Sequence, residues 1–220
     1  MANMGDHSLD RVADPPRWEE ALGRFARLQL ATAAVPDALI NLGCPDRRID
    51  TLPGHIDSFF AALPDYPGLF DEDVAPLRAL APVLKDACAA LARYRIPATL
   101  EHGDFWPGNV MVSDDAYIYF DWSDSSLSHP FFSLTLFIEF DNIPQALMAD
   151  PDLPLRLRDA YLAPWAEYGT RDDRTRAFEL ARKLGPLHLA LLYHRTILPN
   201  MEARWEMENM VPFYLSMLLR

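Results

Sequence analysis

The residues His102-Gly103-Asp104-Phe105-Trp106-Pro107-Gly108-Asn109 have the types and spacing to do chemistry. An aspartate is followed five positions later by an asparagine, and a second carboxylate, Asp121, closes the short apolar run beyond them. One carboxylate to orient an attacking hydroxyl, with an amide and another carboxylate to hold magnesium, is the set that phosphoryl transfer requires. Pro107-Gly108 turns the chain so that Asn109 faces back toward Asp104.

These residues need a rigid support, and the surrounding pattern supplies one. Ala98–Glu101, Val110–Val112 and Tyr117–Phe120 are short, β-branched or aromatic runs that read as strands, with a hairpin turn at Ser113-Asp114-Asp115. The rest reads as helix. Asp14 before Pro15-Pro16 reads as a capping carboxylate, with Glu19 and Glu20 near the positive end of the helix dipole. A short helix over Asp37–Leu42 stops at Gly43. From Val74 to Tyr94 apolar residues recur at steps of three and four, predicting one long amphipathic helix in which Pro76 and Pro82 disturb only the early turns. Further helices are expected over Phe131–Phe140, Leu155–Tyr168, Arg174–Ile197 and Met201–Leu219. The expected fold is mainly α, of the α+β class: a helical bundle with a short central β-hairpin region carrying the reactive loop.

A chain of 220 residues suits one domain with a substantial core, and half its residues are hydrophobic, which argues against disorder. Thirty-two acidic against 20 basic residues give a net charge of −12, a poor match for nucleic acid or anionic lipid. The acidity favours solubility and would also suit a cationic small substrate. Two distant cysteines, Cys44 and Cys88, read as reduced structural thiols of a cytoplasmic protein. The polar stretch from Met1 to Asp10 has no apolar signal core, and no apolar run is long enough to span a bilayer.

Other chemistries lack their residues. There is no Gly-x-Gly-x-x-Gly, no phosphate-binding Lys-Ser/Thr after Gly108, no Gly-x-Ser-x-Gly elbow and no His-Glu-x-x-His. The loop, together with Asp121-Trp122-Ser123-Asp124 and His129-Pro130-Phe131-Phe132, resembles the aminoglycoside phosphotransferase family. That family includes choline and related small-molecule kinases and shares the protein-kinase fold. The resemblance implies that Asp104 is the catalytic base, that Asn109 and Asp121 hold Mg²⁺, and that ATP is the phosphoryl donor to a small hydroxylated substrate. His102 reads as a prop for the loop backbone, and Asp124 as a residue that lines the site or supports a turn. Ser123 stands where many relatives have glycine after the second strand.

The resemblance covers the C-terminal lobe. The family's smaller lobe grips nucleotide phosphates with a glycine-containing loop and a lysine, but the two lysines here, Lys85 and Lys183, fall on predicted helices. The expectation is a single domain over residues 1–220, with 1–13 a flexible N-terminus or hinge remnant and no nucleotide-clamping lobe. Such a chain is a phosphotransferase whose small lobe comes from elsewhere, or a half-kinase that binds without efficient turnover. A metal-dependent hydrolase has the least support, since no second metal cluster is visible. The surface left by an absent lobe is expected to be apolar, which favours a partner chain or a homo-oligomer. His188, His194 and Arg195 lie on one apolar helix and are read first as core or rim residues. Glu202, Glu206 and Glu208 read as a solvated helix face.

Overall fold

The computed structural model describes residues 7–220, apart from Asp115, Glu139, Phe140, Asp141 and Glu206, and for Asp65 the backbone alone. In chain order the elements are β1 (His7–Ser8), α1 (Pro15–Thr32), α2 (Pro36–Asn41), β2 (Asp46–Arg47), α3 (Leu52–Ala61), α4 (Asp71–Ala79), α5 (Ala81–Ala92) and β3 (Thr99–Glu101). They continue with β4 (Val110–Val112), β5 (Tyr117–Tyr119), β6 (Ser126–Ser128), α6 (Phe132–Ile138), α7 (Leu153–Leu162), α8 (Arg171–Leu192), α9 (Leu198–Asn200) and α10 (Met210–Met217). The fold is mainly α with two small sheets.

The β-hairpin of β4 and β5 forms as the turn residues predict, closed by Ser113 N–H donating to Ala116 O at 3.0 Å. The sheets are larger than the hairpin because short distant strands join them. β1 adds to β4 antiparallel, giving the order β1-β4-β5. β6 lies between β3, antiparallel to it, and β2, parallel to it. Strands of two or three residues leave no periodic pattern to read, which is why β1, β2 and β6 were not legible. Over its described residues, the N-terminal segment contributes β1 and then a 3₁₀ turn whose Leu9 has no exposed surface.

Several expected helices are shorter or broken. The long helix over 74–94 is two, α4 and α5, divided at Leu80: Pro82 lacks an N–H and crowds the preceding turn, so it starts a new helix instead of continuing the old one. α7 gives way to a 3₁₀ turn at Ala163, next to Pro164. The helix expected over Met201–Leu219 exists only as α10. Glu202 and Glu208 are therefore exposed on irregular chain, not on a helix face, and Glu206 lies outside the described residues. Asp14 makes no side-chain cap, and Glu19 and Glu20 fall beyond the first turn of α1, where they pair with Arg156 and Arg24. Thr170, by contrast, forms a reciprocal capping box with Asp173 at the start of α8. After Leu192 that helix loosens into a π turn over Tyr193–Ile197.

α1 lies along α7, while α8 packs against α5, α6 and α10. Trp18, Phe25, Tyr161 and Trp165 are fully buried in the core between them. Among the described residues no helix is long and apolar enough to cross a membrane. Cys44 and Cys88 are both unpaired thiols.

Candidate active site

The loop leaving β3 and the loop between β5 and β6 meet at the same end of the two sheets. Gly103 makes that approach possible. Its φ of +83° suits glycine, and a Cβ there would lie 2.2 Å from the Asp124 carbonyl oxygen. Asp104 follows directly. Asn109 Nδ2 donates to the Asp104 carbonyl at 2.9 Å and to its Oδ2 at 3.1 Å. Pro107 and Gly108 set this return, in a 3₁₀ turn whose Gly108 has no side chain to collide with the Trp106 indole. Asp121, two residues beyond β5, is in the left-handed region, φ +62°, and Ser123 Oγ donates to its Oδ1 at 3.1 Å. Ser123 thus steadies the carboxylate two residues before it.

Charge accumulates at this end. Burial raises the Asp104 carboxyl above its ordinary range; the Asn109 hydrogen bond opposes that, and the charges of Asp124, Asp121 and Glu101 add to it. Burial also raises Asp124, reinforced by Asp121 and opposed by Arg47. Asp104 and Asn109 are therefore in contact, while Asp121 and Asp124 act on Asp104 through their charges. Among the described residues no three His, Cys, Asp or Glu side chains form a ready cage for a metal. The available donors are oxygen only, which suits a hard divalent cation. With its NH₂ committed to Asp104, Asn109 has its Oδ1 to offer.

His102 stands behind the loop. Its Nε2 is 3.0 Å from the Phe120 carbonyl, and its Nδ1 accepts from the Asp104 N–H at 3.4 Å. Those two roles fix the Nε2–H tautomer, and burial holds the ring below its ordinary pKa, in the neutral form. Phe105 is buried and stacks on Phe25 of α1 at 3.7 Å between centroids, whereas Trp106 is 37% exposed. One helical turn on from Phe25, Gln29 donates at 3.3 Å to both the Leu100 and Pro130 carbonyls, tying α1 to the strand before the loop.

Glu101 is the support that the sequence did not reveal. It is 2% exposed and accepts from Gly103 N–H at 3.0 Å and Ser133 Oγ at 2.9 Å, and it meets His188 Nε2 at 3.2 Å. Burial opposes its ionisation, but His188 and these donors outweigh it and hold the carboxyl below the usual range. Period-two alternation puts Glu101 on the face of Thr99, but nothing local says that this face is the buried one. His188 is thus a core residue with a carboxylate partner, as its apolar helix suggested. His194 packs at tilted angles on Phe59 and Tyr66, and Arg195 is exposed and bonded to His55.

A model of the phosphotransferase enzyme family matches residues 4–178, most of the chain. Two solved structures share the fold. One is a Plasmodium vivax ethanolamine kinase, with a TM-score of 0.54 and 14% identity, covering 100% of this chain and 62% of that one. The other is a spectinomycin phosphotransferase in complex with ADP and spectinomycin, with a TM-score of 0.50 and 12% identity, covering 98% of this chain and 68% of that one. No curated protein matches. The chain belongs to the phosphotransferase enzyme family and has a kinase-like α+β fold. It spans less than two thirds of the length of the ethanolamine kinase.

Proposed function

We propose that this chain carries the catalytic half of a small-molecule phosphotransferase, moving the γ-phosphoryl group of ATP to a substrate hydroxyl. Asp104 takes the hydroxyl proton as the oxygen forms its bond to the γ-phosphorus and the β–γ bridging O–P bond breaks, releasing ADP. Asn109 Oδ1 and the Asp121 carboxylate are the groups that would hold Mg²⁺. When bound, that ion supplies charge neutralisation at the phosphates. Asn109 also fixes the Asp104 carboxyl, and His102 fixes the loop backbone beneath it. A carboxyl raised toward the operating pH makes a better proton acceptor than an ordinary one. The observation that carries this reading is the Asp104–Asn109 contact at 3.1 Å, with Asp121 and Asp124 in the same electrostatic field.

A second reading has the phosphate-gripping lobe supplied by another polypeptide. It is favoured by the lysines: Lys85 is paired with Asp57 at 2.6 Å, and Lys183 is on the exposed face of α8. Thermal denaturation of the purified chain with Mg·ATP separates the two. At 100 times its dissociation constant the nucleotide adds about 2.7 kcal/mol, and no stabilisation means that the phosphate grip lies outside residues 1–220. Asp104→Asn lowers transfer by about 10²–10⁴-fold; an unchanged rate excludes Asp104 as the base.

A further inference from the structure

Behind the Asp124 wall is a cleft of about 210 Å³ that the phosphoryl-transfer residues do not use. β2, the start of α3 and the end of α8 form it, with Arg47, Thr51, His55, His188, Arg195 and Thr196 among its lining. Its position is set by the catalytic loop. Arg47 Nη1 approaches the Asp124 carbonyl at 3.5 Å, and that same carbonyl rests on Gly103. β2 holds Arg47 in place by its parallel register with β6, and Ser128 Oγ donates to the Arg47 carbonyl at 2.8 Å. The π turn over Tyr193–Ile197 carries Arg195 and Thr196, both of which line the cleft. Such turns are rare and concentrate at functional sites.

Two guanidinium groups, which can only donate, line the cleft. Arg47 Nη2 donates to Thr196 Oγ1 at 2.6 Å, and Arg195 Nη1 is 2.7 Å from His55 Nδ1. Arg195 can only donate, so His55 Nδ1 is the acceptor and its proton is on Nε2. The carboxylate of Asp46, at the rim, is turned onto Arg48 at 2.6 Å. Among the described residues neither Arg47 nor Arg195 has a carboxylate ion-pair partner. Arg47 is half-buried, and burial works against its charge. The charges of Glu101 and Asp124 offset part of that cost without forming an ion pair, and an anion placed between the two arginines offsets more of it.

We infer that this cleft binds the carboxylate or phosphate group of a hydroxylated small molecule, whose hydroxyl lies across the Asp124 backbone at Asp104. The inference rests on the phosphotransferase reading only in making that molecule the acceptor. It reverses the substrate charge that the chain's overall acidity suggests.

Calorimetric titration of the full chain with glycerate and with glycerol 3-phosphate tests it, with neutral glycerol and cationic ethanolamine as contrasts. Both anions are expected to bind more tightly than either contrast, and Arg195→Gln to weaken them at least tenfold. Arg195 is exposed, so this variant should keep the wild-type circular dichroism and melting temperature; Arg47→Gln is the second variant. Equal affinity for glycerate and glycerol, or anion binding unchanged in Arg195→Gln, overturns the inference. Mg·ADP titration separates the other source of phosphate: its affinity should not respond to Arg195→Gln, and a tenfold fall there with none for the small anions overturns the assignment. Asp104→Asn retains anion binding. Anions that bind this way without any Mg·ATP-dependent transfer support the site and remove only the reading in which this chain transfers the phosphoryl group by itself.

Discussion

Two regions of opposite charge share one piece of backbone. On one side of Asp124, three aspartates converge, with an asparagine holding one of them. On the other side, two arginines and a histidine present donors to a small cleft. A net charge of −12 describes neither. The difference shows that binding character is set within a few ångströms, where burial amplifies each charge, and not by the sum over a surface that water screens.

The strongest way to break the comparison is at the wall itself. Gly103→Ala puts a Cβ into the Asp124 carbonyl and forces an L side chain to φ +83°. The backbone conformation alone costs about 1–2 kcal/mol, and displacing Asp124 adds to it. Both regions should therefore fail together: transfer lost, anion affinity lost, and the melting temperature lowered. A variant that loses one function and keeps the other would show that the wall is not shared.

Glu101→Ala attacks the support beneath both. It strands His188 in the core and frees the Gly103 N–H, and removing one member of a buried pair costs about 3–5 kcal/mol. Urea denaturation measures this; a loss below about 1 kcal/mol would mean that the pair holds nothing in place. A smaller effect sharpens the contrast. Asp124→Asn removes a like charge from beside Asp104 but leaves the carbonyl that faces Arg47. With that charge gone the ionised Asp104 is favoured, so its pKa falls and the acid limb of transfer moves to lower pH. Carboxyl-carbon NMR titration reads this directly, and an upward or absent shift would place the two carboxylates out of reach of each other. Anion affinity in the cleft should not fall.

Much of this was legible before any coordinates. The β4–β5 hairpin, the loop with its Pro-Gly turn, the position of Asp121 and most helices follow from local rules, because hairpins, turns and long amphipathic helices leave their pattern in adjacent residues. The breaks did not. Pro82 divides the helix expected over 74–94, and little of the stretch expected as helix over 201–219 is helical, because burial there depends on what the chain packs against. β2 has two residues and β6 three, and their pairing is a fact about partners far away in the chain.

The sequence by itself pointed to the family, since the Asp, the Asn and the second Asp that carry the resemblance lie close together along the chain. Tertiary structure alone decided what stands around that loop. Glu101 is an ordinary strand residue until His188, 87 positions away, meets it in the core. Arg47 carried no signal of its own, and Arg195 was only one polar residue on an apolar helix, until β2 and the π turn brought them to one cleft. A side chain's chemistry is local, but its desolvation and its neighbours are set by contacts between distant segments, and those exist only once the chain has folded.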